Sequence, residues 1–243
     1  MNKALASDID GTLIFNGHYK ENDVDAIREY QKAGYLFGLC TGRPIKGTKN
    51  ILPEDIQPDF YIATSGAVIL DKQGHVLYEN IIPFDDVQQV YNEYHQYTIV
   101  IQTDNLLYKT AYEEYDEDDI IIHSLDEIRD KKIYGISLIF DNDEQASVIC
   151  QNINQNFEAL EGFQNKNSID IVKRGCSKGN GVQRIKELLH IDDMAGIGDS
   201  YNDIPMLKIV NYSFTFKTSP LDLQQQVSYV VDNIAEAINI LMK

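Results

Sequence analysis

Short apolar segments alternate with helix-forming segments at both ends of the chain, and this alternation restricts the possible folds more than any other feature. In the N-terminal part, residues 4–7, 35–40 and 60–63 are apolar runs of strand length, and a helix is predicted from Asn22 to a stop at Gly34. Strands that alternate with helices are typical of parallel sheets with crossover connections. This part of the chain therefore predicts a parallel sheet covered on both faces.

The same alternation returns in the C-terminal part. A helix is predicted over residues 178–190, and strands are predicted at 194–198, 212–216 and 227–231. We interpret the two ends as halves of one sheet. The predicted fold class is α/β, with a doubly wound, mostly parallel, Rossmann-like core sheet.

The middle of the chain has a different pattern. Residues 68–70 and 75–78 predict a hairpin, and from about residue 84 the order is helix, strands, helix, strands. This order predicts an α+β domain inserted into the core. The predicted division is a core of residues 1–83 and 174–243 with an insert of residues 84–173.

The charge of the chain limits its partners. Its 243 residues include 38 Asp and Glu against 21 Lys and Arg, for a formal net charge of -17. Such a field repels nucleic acid and anionic membranes, whereas a bound divalent cation can invert it locally for a small phosphorylated substrate. No stretch approaches the ~18 apolar residues of a membrane span, and the N-terminus does not resemble a signal peptide. We expect a cytoplasmic protein without nucleic-acid or membrane partners, and its oligomeric state is open.

Two groups of residues invite a chemical interpretation but are predicted to be structural. Cys40, Cys150 and Cys176 lack metal-ligand spacing and are expected to be buried, reduced thiols. The acidic run at residues 113–119 is expected to be a solvated loop or helix face, with cation binding as the alternative.

Asp8 and Asp10 follow the first predicted strand. At this spacing both carboxylates project to the same side, and Gly11 permits a tight turn. Ligands of open α/β sheets bind outside the carboxyl ends of the strands. One carboxylate could attack phosphorus while the other donates and later removes a proton. Taken alone, the pair also fits a helix cap and a turn residue. Thr12 of the same segment is a candidate phosphate ligand.

Thr41, Gly42 and Arg43 follow the second predicted strand in the equivalent position. A hydroxyl and backbone N–H groups there can hold phosphate oxygens, and Pro44 suits the first turn of a helix whose positive end would face the anion. Alone, the segment is an ordinary strand-to-helix turn. Arg43 could serve the substrate or face solvent.

Two later segments add a lysine ammonium group and a candidate metal site. Lys178 opens a predicted helix, and an ammonium group can pair with both a phosphoryl group and a carboxylate nucleophile. Asp199 ends a predicted strand, and Asp203 follows four residues later. These carboxylates could converge on Mg²⁺, which prefers oxygen ligands and retains several waters.

These strand ends supply, in chain order, a nucleophile, a hydroxyl, a lysine and a metal site. In this combination the chain resembles the haloacid dehalogenase superfamily of phosphohydrolases, specifically the Cof-like branch with the type IIB cap. The resemblance covers nearly the whole length, with the α+β insert as the cap between the second and third motifs. It implies an Mg²⁺-dependent phosphatase that acts on a small phosphorylated metabolite, with sugar phosphates as the leading class.

The resemblance also implies roles for individual residues. Asp8 would be the nucleophile and Asp10 the general acid and base. Thr41 would bind the transferred phosphoryl group, and Lys178 would steady both that group and Asp8. The remaining candidates for phosphate or substrate binding are Thr12, Gly42, Arg43, Ser65 and Asn202.

The metal site follows from the same resemblance. Asp8, the backbone carbonyl of Asp10 and Asp199 would hold Mg²⁺, with Asp203 close by.

Two segments depart from the family pattern. Family members commonly carry Asn-Gly-Ala after the third strand, whereas this chain has Ser65 followed by Gly66 and Ala67. Residues 211–219 also differ from the usual sequence after the last motif, so we expect a reshaped loop on the substrate side.

Two alternatives stay open. A sugar phosphomutase of the same superfamily would use the same aspartyl-phosphate and return the phosphoryl group to a sugar. A catalytically inactive binding or regulatory protein would be expected to have lost one of Asp8, Asp10, Lys178 or Asp199, and all four are present.

Overall fold

The computed structural model describes residues 2–104, 106–110 and 119–243. The acidic run predicted at 113–119 therefore lies outside the described residues except for Asp119. Within the described residues the chain forms fourteen β-strands and seven α-helices. The strands are β1 (Lys3–Ser7), β2 (Leu36–Cys40), β3 (Phe60–Ala63), β4 (Val68–Asp71), β5 (Val76–Glu79), β6 (Thr98–Gln102), β7 (Leu107–Lys109), β8 (Ile120–Ile121), β9 (Gly135–Ile139), β10 (Leu160–Asn165), β11 (Ser168–Lys173), β12 (Asp193–Ile197), β13 (Tyr212–Phe216) and β14 (Tyr229–Val231). The helices are α1 (Glu21–Lys32), α2 (Phe84–Tyr94), α3 (Asp143–Asn156), α4 (Lys178–Leu188), α5 (Ile204–Leu207), α6 (Leu221–Gln224) and α7 (Ile234–Leu241).

The larger sheet is built from both ends of the chain. Its strand order is β14-β13-β12-β1-β2-β3-β4-β5. All pairs from β14 to β3 are parallel, and β4 and β5 add an antiparallel hairpin at one edge. The chain winds outward from β1 in both directions, so the predicted doubly wound, mostly parallel α/β core is confirmed.

Both faces of this sheet are covered, which explains why its strands are apolar throughout. Along β1, Leu5 faces the apolar cluster that contains α1 and α7, whereas Ala4 and Ala6 face the cluster that contains α4 and α5. Successive strand residues point to opposite faces, so a strand buried on both sides needs apolar residues at every position.

The register brings the carboxyl ends of the central strands to one edge. Ser7 of β1 lies opposite Ile197 of β12 and Leu39 of β2, and Cys40 of β2 lies opposite Ile62 of β3. The residues that follow these four strands therefore meet at one edge of the sheet, where open α/β folds bind ligands.

The smaller sheet is the cap. Its order is β10-β11-β9-β6-β7-β8, and all six strands fall within residues 98–173. One face packs on α2 and α3 around a large apolar cluster. All of its strands lie inside the segment predicted as an α+β insert, and the limits at 83/84 and 173/174 stay a prediction.

The cap is seated on the core near the carboxyl ends of the core strands. Tyr134 and Val172 of the cap share an apolar cluster with Ala63 and Ala67 of the core. The Tyr134 hydroxyl also donates to Glu79 Oε2 at 2.7 Å. At Gly135, an added Cβ would lie only 2.6 Å from Thr64 Cγ2, so glycine at position 135 lets the cap sheet approach the loop after β3.

Two structural expectations have clear outcomes. The helix expected after Pro44 is a 3-10 helix of four residues, Ile45–Thr48, because its backbone turns extended again at Lys49. The predicted helix is therefore present only as one short turn, and Pro44 precedes it as the N-cap residue instead of lying in its first turn. Cys40, Cys150 and Cys176 are free and buried, as predicted.

Membrane insertion through a helix has no support in the described part of the chain, where no helix is both long and apolar enough to cross a bilayer.

Gly38 offers a test of the core packing. It lies opposite Phe60 in the register of β2 and β3, and an added Cβ would overlap the Phe60 ring. Overpacking of this kind destabilises folds by about 1–3 kcal/mol. We expect Gly38→Ala to lower the urea midpoint of unfolding accordingly.

The matched double variant identifies the cause. Gly38→Ala combined with Phe60→Leu should lose less stability than the sum of the two single variants, because the smaller side chain relieves the overlap. An unchanged midpoint in Gly38→Ala would contradict this account of the β2–β3 contact.

Candidate active site

The ammonium group of Lys178 lies between two carboxylates at the edge of the core sheet. Lys178 Nζ is 2.6 Å from Asp8 Oδ1 and 2.6 Å from Asp203 Oδ1. The Lys178 side chain is 2% exposed. Asp8 follows β1, Asp203 follows β12, and Lys178 is the first residue of α4, so three distant segments meet at one ion-paired centre.

Local structure fixes the position of Lys178. The Ser177 hydroxyl caps α4 by accepting a hydrogen bond from the Asn180 N–H at 3.0 Å. A Cβ at Gly179 would overlap the Pro205 carbonyl group. The glycine after Lys178 therefore allows α4 to lie directly against α5, and the serine before it determines where the helix begins.

Burial and charge act in opposite directions at this centre. Burial raises the pKa of Asp8 to about 7, although the Lys178 ammonium lowers it. Burial alone would lower the pKa of Lys178, but Asp203 and Asp8 raise it above its ordinary value. Lys178 therefore stays charged, and it cannot neutralise both carboxylates.

Asp199 completes a group of three carboxylates that fits a divalent cation. Ligand oxygens of Asp8, Asp199 and Asp203 all lie within 4.8 Å of one another. Burial, and then the charge of Asp203, raise the pKa of Asp199. A Cβ at Gly11 would lie 2.5 Å from Asp199 Oδ2, so glycine leaves room at this carboxylate. Hard oxygen donors around excess negative charge suit Mg²⁺.

Asp203 differs from the other two because its oxygens already accept hydrogen bonds from the protein. Its Oδ1 accepts from Lys178, and its Oδ2 accepts from the backbone N–H of Asp199 at 3.0 Å and of Ser200 at 3.1 Å. Its side chain is fully buried. These contacts favour a role in which Asp203 positions Lys178 and the loop that carries Asp199.

Thr12 and Asn202 lie at the edges of this group. Thr12 is buried and its hydroxyl donates to Asp199 Oδ1 at 3.2 Å. Asn202 Oδ1 accepts from the Ser200 hydroxyl at 2.7 Å. In this structure both side chains contact the acidic loop, so their predicted contacts with phosphate or substrate stay predictions.

Asp10 is paired with Arg43. Arg43 Nε lies 2.7 Å from Asp10 Oδ2, and Arg43 Nη2 lies 2.5 Å from Asp10 Oδ1. The hydrogen bonds that Arg43 donates to Asp10 raise the pKa of Arg43 above its ordinary value, and the negative charge of Asp10 adds to this effect. Burial acts in the opposite direction but is outweighed. The sequence allowed two interpretations of Arg43, a contact with the substrate or a position facing solvent. The structure shows a third arrangement, in which Arg43 orients the second carboxylate of the motif.

Thr41, Gly42 and Ser65 lie close together in the loops after β2 and β3. The Thr41 hydroxyl accepts from the Arg43 N–H at 3.1 Å, and the Ser65 N–H donates to the Thr41 carbonyl at 3.0 Å. Ser65 is buried and has left-handed backbone angles of φ 49° and ψ 36°. Asparagine tolerates this region better than serine does, so the departure at Ser65 changes a position where the backbone is strained.

Sequence reasoning missed the cap residues nearest to this site. Asp170 of β11 lies above the loop after β2, since a Cβ at Gly42 would be 3.1 Å from Asp170 Oδ2. A usable signal was the alternation of polar and apolar residues at Ser168, Ile169, Asp170 and Ile171, which marks a strand with one polar face.

Cys40 can be set aside as a nucleophile. Its thiol is fully buried beneath the site, and burial raises the pKa of Cys40 far above its ordinary value. The thiol contacts the Lys178 carbonyl at 3.7 Å. A protonated, inaccessible thiol fits the structural role expected from the sequence.

A capped, doubly wound α/β fold with an aspartate-lysine centre at its strand ends defines a class of hydrolases. Residues 5–238 match the model of the haloacid dehalogenase-like hydrolase family. The chain belongs to this family, and the prediction of an enzyme of this family is confirmed.

Individual relatives cover nearly the whole chain. An uncharacterized protein of Mycoplasma capricolum is 29% identical, over 97% of this chain and 99% of its own length. The 5-amino-6-(5-phospho-D-ribitylamino)uracil phosphatase YcsE of Bacillus subtilis is 20% identical, over 97% of this chain and 92% of its own length. Among solved structures, the HAD subclass IIB sugar phosphatase BT4131 has a TM-score of 0.80 at 19% identity, and the match covers 99% of each chain. The fold expected from the Cof-like, type IIB resemblance is therefore confirmed.

Lys178→Met tests the buried ion-paired centre. Loss of one partner from a buried charge group destabilises a protein by about 3–5 kcal/mol, and we expect a decrease of this size at neutral pH. Without the ammonium, the charge that lowers the pKa of Asp8 is lost, and burial raises this pKa still further above its unfolded value. Such a group stabilises the fold at low pH, and that stability is lost as pH rises. The deficit against the wild type should therefore be smaller near pH 5 than near pH 8.

Urea unfolding at the two pH values measures this difference. Lys208→Met is the matched control, because Lys208 is exposed on the segment after α5 and its loss should change the midpoint little at either pH. A deficit in Lys178→Met that is equal at both pH values would contradict the proposed electrostatic role.

Proposed function

We propose that this enzyme is an Mg²⁺-dependent phosphatase that removes phosphate from a small phosphorylated metabolite, a sugar phosphate, through an aspartyl-phosphate at Asp8. The observation that carries this proposal is the Asp8 carboxylate, held at 2.6 Å by a buried ammonium group at the carboxyl end of β1. Asp199 belongs to the same cluster of carboxylates as Asp8.

In the first step, a carboxylate oxygen of Asp8 attacks phosphorus and the bond from phosphorus to the ester oxygen breaks. Lys178 orients Asp8 and counters the charge of the transferred phosphoryl group. Asp10, in its protonated form, gives its proton to the departing ester oxygen. The Thr41 hydroxyl and the Gly42 backbone N–H would hold the phosphoryl oxygens, because the N–H groups of Thr41 and Arg43 already donate to the Ile62 carbonyl and the Thr41 hydroxyl.

In the second step, water attacks the phosphorus of the aspartyl-phosphate. Asp10, now ionised, accepts a proton from this water, and Asp8 leaves as a carboxylate together with inorganic phosphate. Arg43 donates to both Asp10 oxygens, which fixes the position of the carboxylate, and Asp10 must release one of these hydrogen bonds to carry the proton of the first step.

Asp8 and Asp199 would hold the cation, and the Asp10 backbone carbonyl is a third candidate ligand. Asp203 would lie close to these ligands. When bound, Mg²⁺ supplies positive charge that offsets the negative charge of the phosphoryl group beside two carboxylates. The excess of negative charge around Lys178 supports this assignment.

Sugar phosphate is proposed as the substrate class on two grounds. The structural neighbour BT4131 is named a sugar phosphatase, and the relative YcsE is named for a substrate with a phosphorylated ribityl chain. A phosphomutase would give sugar isomers in place of free phosphate, so the same assay separates the two functions.

Asp8→Asn is the first test of the mechanism. Replacement of the nucleophile by its neutral isostere should lower kcat by at least about a thousandfold, and the fold should be retained. Phosphate release is measured on a panel of phosphorylated metabolites with Mg²⁺ and with EDTA. Asp85→Asn, at an exposed position of α2, is the control. Near-normal turnover by Asp8→Asn would rule out a covalent intermediate at this residue.

Asp10→Asn separates the two chemical steps. General acid catalysis contributes about 10²–10⁴-fold, and it matters most for poor leaving groups. We expect alkyl phosphates to lose turnover by about this factor. With p-nitrophenyl phosphate, whose leaving group needs little protonation, rapid mixing should show a burst of nitrophenol followed by slow hydrolysis of the intermediate. Equal losses on both substrates without a burst would contradict the role given to Asp10.

A further inference from the structure

The cap sheet carries a polar row on the face that turns away from its own helices. Ser137 of β9 lies opposite Val100 of β6 and Asp170 of β11. Gln102 follows Val100 by two residues and so points to the same side. The residues between these positions are buried against α2 and α3. The polar row therefore faces the core domain.

Three side chains of this row form one directed chain of hydrogen bonds. Gln102 Nε2 donates to Ser137 Oγ at 2.8 Å, and Ser137 Oγ donates to Asp170 Oδ1 at 2.7 Å. Because Ser137 gives its only proton to Asp170, it must accept from the Gln102 amide group, which fixes the orientation of that amide. Gln102 then presents its carbonyl oxygen, and Asp170 presents Oδ2.

The Gln102 oxygen is an acceptor without a donor. Gln102 is 3% exposed, and among the described residues no donor reaches its Oε1. A buried acceptor left unpaired destabilises the folded protein, because it loses its hydrogen bond with water. Native proteins rarely retain such groups unless water or a ligand satisfies them.

Asp170 brings the second acceptor next to the loops predicted to bind phosphate. A Cβ at Gly42 would lie 3.1 Å from Asp170 Oδ2 and 3.5 Å from Ser65 Oγ. Burial raises the pKa of Asp170, and the charge of Lys178 partly opposes this shift. The carboxylate is thus close enough to interact with the catalytic lysine, although it belongs to the cap.

We propose that Gln102 Oε1 and Asp170 Oδ2 bind hydroxyl groups of the leaving group, so that the enzyme selects phosphate monoesters of neutral polyhydroxylated compounds. The inference rests on the proposed phosphatase function and deepens it. Ser137 is a positioning residue, because its hydroxyl acts by orienting the two acceptors.

The same geometry disfavours substrates with a second anionic group. Gln102 Oε1 and Asp170 Oδ2 are both acceptors, and Asp170 is a carboxylate in a largely buried position, whereas Lys109, opposite Val100 on the same face, is paired with Asp119 at 2.8 Å. A phosphate or carboxylate on the leaving group would meet like charge there and would find no proton to accept. The cap therefore discriminates by charge as well as by hydrogen bonding.

The experiment compares substrates with matched carbon chains. Sorbitol monophosphate carries hydroxyls along a six-carbon chain, n-hexyl phosphate carries none, aminohexyl phosphate carries a distal amine, and sorbitol bisphosphate carries a second phosphate. The aryl ester p-nitrophenyl phosphate is the reference that lacks hydroxyls. kcat/KM is measured for the wild type, Asp170→Asn and Gln102→Met, with exposed Asp130→Asn of the cap as the control variant.

The expected result is a wild-type preference of at least about tenfold for sorbitol monophosphate over n-hexyl phosphate. Asp170→Asn and Gln102→Met should each reduce this preference about tenfold, mainly through KM, while their melting temperatures stay close to the wild type and Asp130→Asn keeps the wild-type preference. Asp170→Asn should also narrow the discrimination against sorbitol bisphosphate.

Three results would overturn the proposal. Equal kcat/KM for sorbitol monophosphate and n-hexyl phosphate in the wild type would show that the substrate hydroxyls make no productive contact. An unchanged preference in folded Asp170→Asn would show that Asp170 does not bind them. Preferential turnover of aminohexyl phosphate, lost in Asp170→Asn, would assign the acceptors to an amine. Absence of Mg²⁺-dependent hydrolysis even of p-nitrophenyl phosphate would instead refute the phosphatase function on which this proposal rests.

Discussion

The contact between the Lys178 ammonium and the carboxylates of Asp8 and Asp203 joins three parts of this enzyme that are distant in sequence. The lysine opens the helix that returns the chain from the cap to the core, and its partners lie at the ends of β1 and β12. Buried charges of this kind contribute little net stability. Their value here is geometric, because one buried cation fixes the end of β1, the loop after β12 and the return from the cap relative to one another.

The excess of negative charge around that lysine connects the fold to its chemistry. Parallel strands deliver their carboxyl ends to one edge, and in this chain three of the residues delivered there are acidic. With a bound cation, such a group would become a site for phosphate despite the overall charge of -17. The acidity of the chain is therefore compatible with the proposed anionic substrate, because a bound cation would set the local field at the site.

Much of this arrangement could be predicted from the sequence because the informative signals are local. The spacing of Asp8 and Asp10, and the apolar runs before Thr41 and Asp199, are visible within a few residues. The pairing of Asp10 with Arg43 and the polar row of the cap were not visible, because they depend on contacts between segments separated by 33 residues or more. The left-handed conformation of Ser65 also lacked a signal, since serine does not mark such positions as glycine or asparagine does.

The two faces of the cap sheet have different roles, and this difference has an evolutionary consequence. The residues that point toward α2 and α3 form the cap's own apolar core, whereas their alternate neighbours point at the substrate side. A substitution on the face toward the core domain leaves the apolar face of the cap sheet intact. It also leaves Asp8, Asp10, Asp199 and Asp203 of the core unchanged. New substrate preferences can therefore arise by single amino-acid changes in one layer of side chains, without passing through variants that are unfolded or inactive. A family with this architecture can diversify its substrates while the reaction that it catalyses stays the same.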